Sequence, residues 1–226
     1  MPIVVDGAAV VPIPGCQDFA TLKSRVASYL RKPDSSDILQ IAGYEINSAV
    51  RKLNSENWNW ALTSTTITLV AATATYDLPT NFRAARMLER LTSGSVRSGK
   101  IYYLDPKTFN EETGGSSSGT PTRYTVHNFT DTQLLTLDVS PDSSFVTSYP
   151  TLSLRYYRRL PLYADNGDCV EVPSEVEEYI LWRARYVAGL HSGMSADLIG
   201  AARSESNQLW AELRRSDWEI HQMDWQ

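Results

Sequence analysis

Residues 38–79 contain the change of pattern that decides the fold. In ILQIAGYEINSAVRKLNSEN (38–57), apolar side chains recur at spacings of three and four, which indicates an amphipathic helix closed by Trp58 and Trp60. TSTTITLVAATATYDLP (63–79) then alternates and is rich in Thr, Ile and Val, which predicts a hairpin or strand pair ending at Pro79. Helix-forming and strand-forming segments are thus separated along the chain.

Helical patterns lie on both sides of this stretch. Asp18 can cap an earlier helix whose apolar positions also fall at spacings of three and four. On the C-terminal side, VPSEVEEYILW (172–182) begins a third helix, with Ser174 and Glu177 matching a capping box. Ser195 can cap a fourth.

The middle of the chain is rich in strand patterns. Asp105 and Pro106 can start one helical turn, GGSSSGTP (114–121) indicates a flexible loop, and PDSS (141–144) indicates a turn. Further predicted strands span residues 86–91, 100–104, 123–129, 134–139 and 151–158. The order is two helices, a β-rich middle and two helices, which predicts an α+β protein rather than an alternating α/β sheet.

Composition places the chain among ordinary soluble proteins. Of its 226 residues, 42% are hydrophobic and 21% are charged, and no apolar run approaches the length of a membrane span. The N-terminus lacks the basic region of a signal peptide, so we expect an intracellular protein. Cys16 and Cys169 are far apart and lack metal-ligand spacing, so we expect two free thiols in a reducing compartment.

The net charge of −5 lies entirely in the last quarter of the chain. Residues 171–226 hold five basic against ten acidic side chains, whereas residues 1–170 hold 16 of each. A protein that grips nucleic acid through its phosphates needs a basic surface, so this distribution argues against that class. Taken alone, the acidic segment is most simply a solvated helix face.

The stretch GSVRSGKI (94–101) is one residue short of a nucleotide-binding P-loop. A P-loop needs Ser or Thr after the lysine to ligate Mg²⁺, and Ile101 cannot. The motif must also open a helix, whereas IYYL (101–104) favours a strand. We therefore expect the segment from Gly94 to Gly99 to be a hairpin loop.

No pattern in the sequence indicates a catalytic or metal site. The three histidines, His127, His191 and His221, fall on different predicted elements and lack chelating spacing. The adjacent pairs Glu111–Glu112 and Glu177–Glu178 cannot converge on one substrate from a helix. We expect neither cofactor nor metal and no enzymatic activity.

The end of the chain, RRSDWEIHQMDWQ (214–226), is unusually aromatic. Five side chains share one helical face by spacings of three and four: Trp210, Arg214, Trp218, His221 and Trp225. Trp210 is expected to pack on its own helices. For Trp218, Ile220, Met223 and Trp225 two interpretations stay open, an anchor for a partner and packing within the same chain.

The order of elements and several phrases resemble the adaptor proteins of tailed bacteriophages, the head-to-tail connectors and tail tubular proteins. YDLPTNFR (76–83) is the most distinctive phrase, and the likeness covers roughly residues 18–215. The phrases are SAVRKLNSENWNWA (48–61), ATYDLPTNFRAARMLE (74–89), GTPTRYTVHN (119–128), LLTLDVSPD (134–142), LSLRYYRRLP (152–161) and VPSEVEEYILWRARYVAGL (172–190).

The resemblance implies a structural virion protein. Family members form a ring, usually of twelve, that docks under the portal after DNA packaging, extends the DNA channel and presents a surface to the next tail or neck protein. The implied location is the neck of the virion, after assembly in the host cytoplasm, with DNA passing through the lumen without specific binding and no membrane involved.

The resemblance also implies a division of the chain. A helical bundle of residues 16–60 and 171–215 would carry a β-rich, sandwich-like insertion of residues 61–160. An extended arm (1–15) precedes them, and a C-terminal tail (216–226) would reach the portal. Part of the acidic C-terminal helices would face the lumen.

Other interpretations of the same residues remain. Arg155, Arg158 and Arg159 end the last predicted strand, either as charges that protect a sheet edge or as a rim that holds a neighbouring subunit's carboxylates. A different class of function is a β-sandwich that recognises carbohydrate or a host surface through four aromatic side chains, Trp58, Trp60, Tyr102 and Tyr103. An enzyme with a site assembled from distant residues is the third possibility, and it predicts a deep cleft.

Overall fold

A computed structural model describes residues 16–113, 117–128 and 133–223 of this chain, without the side chains of residues 128 and 218–223. The predicted arm, residues 1–15, lies outside the described residues, as does Trp225.

The described chain is an α+β protein with six α-helices and a curled mixed sheet. It divides into two compact units, one made of the residues up to Glu56 and from Leu160 onward, the other of Asn57–Arg159. In chain order the elements are α1 (Phe19–Tyr29), α2 (Ser36–Leu53), β1 (Leu62–Thr68), β2 (Thr75–Asp77), β3 (Phe82–Leu91), β4 (Arg97–Tyr103), α3 (Pro106–Glu112), β5 (Ser118–Gly119), β6 (Arg123–Asn128), β7 (Gln133–Leu137), β8 (Ser140–Pro141), α4 (Ser143–Ser148), β9 (Thr151–Arg158), α5 (Ser174–His191) and α6 (Ala196–Met223).

The first unit is helical, and α5 lies at its centre, in contact with α1, α2 and α6. The apolar stripes predicted from the sequence form its core. Each fully buried Leu, Ile or Val contributes about 1.5–3 kcal/mol to stability. The completely buried side chains of these helices include Leu22, Val26, Ile46, Val50, Leu53, Ile180 and Leu181.

Two helix starts illustrate how local signals succeed and fail. The Asp18 carboxylate accepts a hydrogen bond from the Thr21 N–H at 2.7 Å, as predicted for an N-cap. The predicted capping box at Ser174 is wrong, because the helix already includes Ser174 and its N-cap is Pro173. Glu177 instead accepts from the backbone N–H of Gln17 at 3.3 Å, so a distant segment takes the acceptor that the box would use.

Asn47 of α2 and Asn54, the C-cap of that helix, hold the segment that enters the helical unit after β9. The Asn47 amide donates to the carbonyl of Tyr163 and accepts from its N–H, both at 2.9 Å. Asn54 holds Leu160 in the same way, at 2.9 and 2.8 Å. Because the two asparagines are seven residues apart, they lie on the same side of the helix. Each satisfies one backbone N–H and one backbone C=O of an irregular segment, as a neighbouring β-strand would.

The second unit is built on a seven-stranded sheet in the order β1-β9-β3-β4-β6-β7-β2. Neighbouring strands are antiparallel except β4 and β6, which are parallel. Strands from both halves of the sheet contribute to one core, so the sheet curls around it. Its members include Ile67, Leu88, Ile101, Tyr124, Leu135, Leu137, Leu152 and Leu154.

The structure corrects two expectations for this unit. The predicted hairpin over residues 63–79 is wrong, because β1 pairs with β9 and β2 pairs with β7, at opposite ends of the sheet. Alternation identifies a strand but carries no information about its partner. The predicted turn at residues 141–144 is the start of α4, where Asp142 accepts from the Phe145 N–H at 2.7 Å.

Candidate functional site

The last helix is the first candidate surface. α6 has 28 residues, which corresponds to roughly 42 Å. Its buried residues, Ala202, Ser206 and Leu213, lie on one face, and residues 214–216 beyond them are exposed. Trp210 packs on Tyr179 of α5 with ring centroids 5.0 Å apart, which confirms that it packs on its own helices.

The predicted anchor lies beyond this packed part. Trp218, Ile220 and Met223 belong to α6, but their side chains are outside the described residues. The partner of these aromatic side chains therefore stays a prediction.

The three arginines of the second candidate surface end β9. This strand lies between β1 and β3, and Arg155 is opposite Ser64 on one side and Met87 on the other. The sheet-edge interpretation of Arg155 is therefore wrong, because β9 is hydrogen-bonded on both sides. Arg158 is half-buried opposite Phe82, and Arg159, just past the strand, is exposed. Their role as a subunit interface stays a prediction.

The aromatic side chains proposed for carbohydrate binding do not form one exposed set. Trp58 is buried and stacks on Trp60 with centroids 6.2 Å apart. Tyr102 and Tyr103 are 68% and 52% exposed on β4. A sugar platform needs accessible ring faces, so Trp58 cannot contribute to one.

The P-loop-like stretch is part of a hairpin, as predicted, with a shorter loop. β3 and β4 pair from Leu88 opposite Ile101 to Leu91 opposite Arg97, and a bulge lies between them. Gly99 is within β4, with a φ of 134° that L side chains rarely adopt. Gly99 therefore allows the backbone conformation of the bulge and is not part of a phosphate-binding loop.

The cysteines differ from the expectation of free thiols. Cys16 and Cys169 form a disulfide, with Cα atoms 6.0 Å apart and a sequence separation of 153. The disulfide ties the start of the described chain to the segment before α5.

Neither a metal site nor a membrane span is found in the described part of the chain. Its His, Cys, Asp and Glu side chains form no cluster of three that could hold a metal ion. Its helices also include none that is long and apolar enough to cross a bilayer.

A groove of about 690 Å³ between α1 and α5 is the third candidate surface. The sequence does not reveal this groove, because Tyr29 falls at an apolar spacing of its helix and Arg185 is one basic residue on another helix. The side chains that matter are Thr21, Ser24, Arg25, Ser28 and Tyr29 of α1 and Arg185 of α5.

Aromatic rings hold the Arg185 guanidinium in this groove. Its central carbon lies 4.5 Å from the centre of the Trp182 ring and 5.2 Å from that of Tyr29. Those two rings meet edge to face at 5.6 Å, and the Tyr29 hydroxyl donates to the carbonyl of Leu198 at 2.9 Å. The guanidinium is thus oriented by packing.

Burial and a neighbouring guanidinium, that of Arg25, together disfavour the charged form of Arg185. The Arg25 guanidinium donates to Gln17 at 2.7 Å and to Glu178 at 3.0 Å. Burial lowers the pKa of Arg185, Arg25 lowers it further, and Glu178 opposes them. Within the described residues, the Nε of Arg185 is buried without a hydrogen-bond acceptor. A buried donor without an acceptor costs about 1–3 kcal/mol.

Comparison with known proteins identifies the family. The model of the SU10 adaptor protein family matches residues 17–224, which include both structural units. No curated protein matches the chain. Because the family match extends over nearly the whole sequence, the chain belongs to the SU10 adaptor protein family, a family of phage head–tail adaptors, and is a component of the virion.

Proposed function

We propose that this adaptor forms a ring that docks under the portal, links the phage head to the tail and extends the DNA channel. The observation that carries the proposal is the family match over residues 17–224, which joins the helical and the β-rich units in one adaptor. The ring has twelve copies in this proposal, as in the proteins that the sequence resembles. Its partners are the portal protein, further copies of the chain and the next tail or neck protein.

In this proposal the two structural units have different roles. The helices form a bundle at the ring, and the β-rich unit is a sandwich-like insertion that lies toward the tail. The distinct cores of the two units support this division. Arg155, Arg158 and Arg159 contribute to the subunit interface.

The portal contact is assigned to the end of α6 and the tail after it, through Trp218, Ile220, Met223 and Trp225. Support comes from residues 214–216, which are exposed although Leu213 just before them is buried. Burying each tryptophan in a portal pocket would contribute about 1.5–3 kcal/mol.

The test mixes the purified chain with the portal of its phage and images the product by electron microscopy. A ring below the portal is the expected result, and a deletion of residues 216–226 should keep the fold and lose docking. A deletion variant that unfolds would show that the tail packs within its own chain. Wild-type protein that leaves the portal bare would refute the proposed function.

The lumen gives a second test. Twelve chains of net charge −5 carry about −60, and an acidic wall offers DNA phosphates no basic contacts to hold them. We therefore place part of the acidic C-terminal helices at the lumen. An electropositive channel in the assembled ring would contradict this placement.

A further inference from the structure

We propose that the groove between α1 and α5 is a receptor for a single Glu or Asp carboxylate on a segment of a neighbouring virion protein, with Arg185 as the residue that sets the specificity. The inference rests on the proposed function, because it names the chemistry of one of the adaptor's partners. It concerns a different surface from the aromatic end of α6.

The Arg185 guanidinium carries five N–H donors in a planar fork. Its Nε is buried without an acceptor among the described residues, so a ligand that enters the groove would bond the terminal Nη groups. The central carbon lies 4.5 Å from the centre of the Trp182 ring and 5.2 Å from that of Tyr29, and these contacts limit how the group can turn. Two parallel N–H groups of a guanidinium match a carboxylate bidentately.

The guanidinium of Arg25 lies near Arg185 and adds a second positive charge to the groove. Arg25 is already bonded to Gln17 and Glu178, so it raises the positive potential without competing for a further ligand. Its proximity disfavours the charged form of Arg185, and an incoming carboxylate would relieve that repulsion.

The groove is open to solvent and has hydroxyl groups along its rim. Its volume of about 690 Å³ is more than one carboxylate group fills. Thr21, Ser24 and Ser28 are exposed along α1 at spacings of three and four, and their hydroxyls can bond a peptide backbone.

The acidic rim favours a protein segment over DNA. Asp18 lines the groove, and Glu178 lies 3.0 Å from Arg25. A nucleic acid brings one phosphate for about every 1.7 Å of duplex, so most of its charges would meet these carboxylates. A single Glu or Asp on a partner needs only the one guanidinium.

The experiment follows the Nε–H signal of Arg185 by NMR in the full-length chain. The probe is the capped peptide acetyl-GEGEGEG-amide, compared with its Gln counterpart, inorganic phosphate and a single-stranded oligonucleotide. We expect a saturable shift with the Glu peptide only. Equal or tighter binding of phosphate or the oligonucleotide, or no saturable shift with any probe, would overturn the proposal.

Two conservative variants separate the receptor from a structural role. Arg185→Lys keeps the charge but loses the planar fork and the Nε–H signal, so peptide affinity is measured for both variants by isothermal titration calorimetry, and it should fall at least about tenfold for Arg185→Lys. Arg183→Lys is the matched control, because Arg183 lies on the same helix against its own neighbour Tyr186 and should bind the peptide as the wild type does. Equal affinities for the two variants would contradict the assignment, provided that both keep the wild-type circular dichroism.

Two further outcomes distinguish this proposal from the proposed function. Wild-type chain that binds the Glu peptide but no portal would refute the docking and leave the receptor. Portal docking without peptide binding would refute the receptor and leave the docking. Peptide binding that appears only after deletion of residues 1–15 would assign the groove to Asp6 of this chain and overturn an external partner.

Discussion

Asn47 bonds both backbone groups of Tyr163, donating to its carbonyl and accepting from its N–H at 2.9 Å each. Tyr163 is buried and stacks on Phe19 of α1 with ring centroids 5.0 Å apart. One amide therefore joins α2, the incoming segment and α1.

Replacement of Asn47 by Asp should destabilise the protein. A carboxylate of the same shape can still accept from the N–H but cannot donate to the carbonyl, which is then left without its donor. We expect a loss of about 1–3 kcal/mol in the free energy of unfolding, measured with urea. Asn207→Asp, at an exposed position of α6, is the control and should stay within about 0.5 kcal/mol. Equal effects would show that the amide contributes nothing specific.

Gly99→Ala tests whether the P-loop-like stretch is structural. At a φ of 134°, an L side chain is strained, and the new Cβ would lie 2.7 Å from the Arg90 Nη2. We expect a loss of about 1–3 kcal/mol in thermal or urea unfolding. Gly94→Ala is the matched control from the same hairpin, because its Cβ would meet only Thr92 Oγ1 at 4.0 Å. A Gly99→Ala protein as stable as Gly94→Ala would disprove the strain.

The disulfide predicts a thiol count and a stability change. Denatured, unreduced protein should show no titratable thiol, and reduction should release two, since Cys16 and Cys169 are paired. Closing a loop of 153 residues restricts the unfolded chain, so Cys169→Ser should lower stability by about 2–5 kcal/mol relative to the oxidised protein. Two thiols in the unreduced protein would show that the pair is open and restore the original expectation.

Asp18 predicts a pH dependence. Hydrogen bonds from Thr21 hold the pKa of its carboxyl below the ordinary value of 3.8, so the folded state binds this proton less readily than the unfolded state. The resulting stabilisation is complete above about pH 5 and is lost as the pH falls through the folded pKa.

Asn at position 18 keeps the cap without titrating. The difference in Tm between wild type and Asp18→Asn should therefore be constant from about pH 6 to pH 5 and decline below about pH 4. Asp34→Asn, at an exposed position in the turn after α1, is the comparison variant. A wild-type advantage that does not change with pH would exclude the carboxylate as the source.

Local signals determined much of this protein. The stripe of α2, the caps at Asp18 and Asp105 and the alternation of β9 depend on atoms within a few residues of one another, so spacing alone predicts them. The phrase YDLPTNFR and the order of elements led to the adaptor family, which the family match confirms.

Tertiary structure decided which distant groups meet. Partner choice for β1 and β2, the pairing of Cys16 with Cys169 and the groove at Arg185 each join positions 57 or more residues apart. The sequence pattern around a side chain does not depend on which partner the side chain meets in the fold. Burial and charge compensation arise only when the helices pack against one another. Arg185 illustrates this difference. In the sequence it is one basic residue on a helix, and in the structure its guanidinium lies against two aromatic rings with its Nε buried without an acceptor among the described residues.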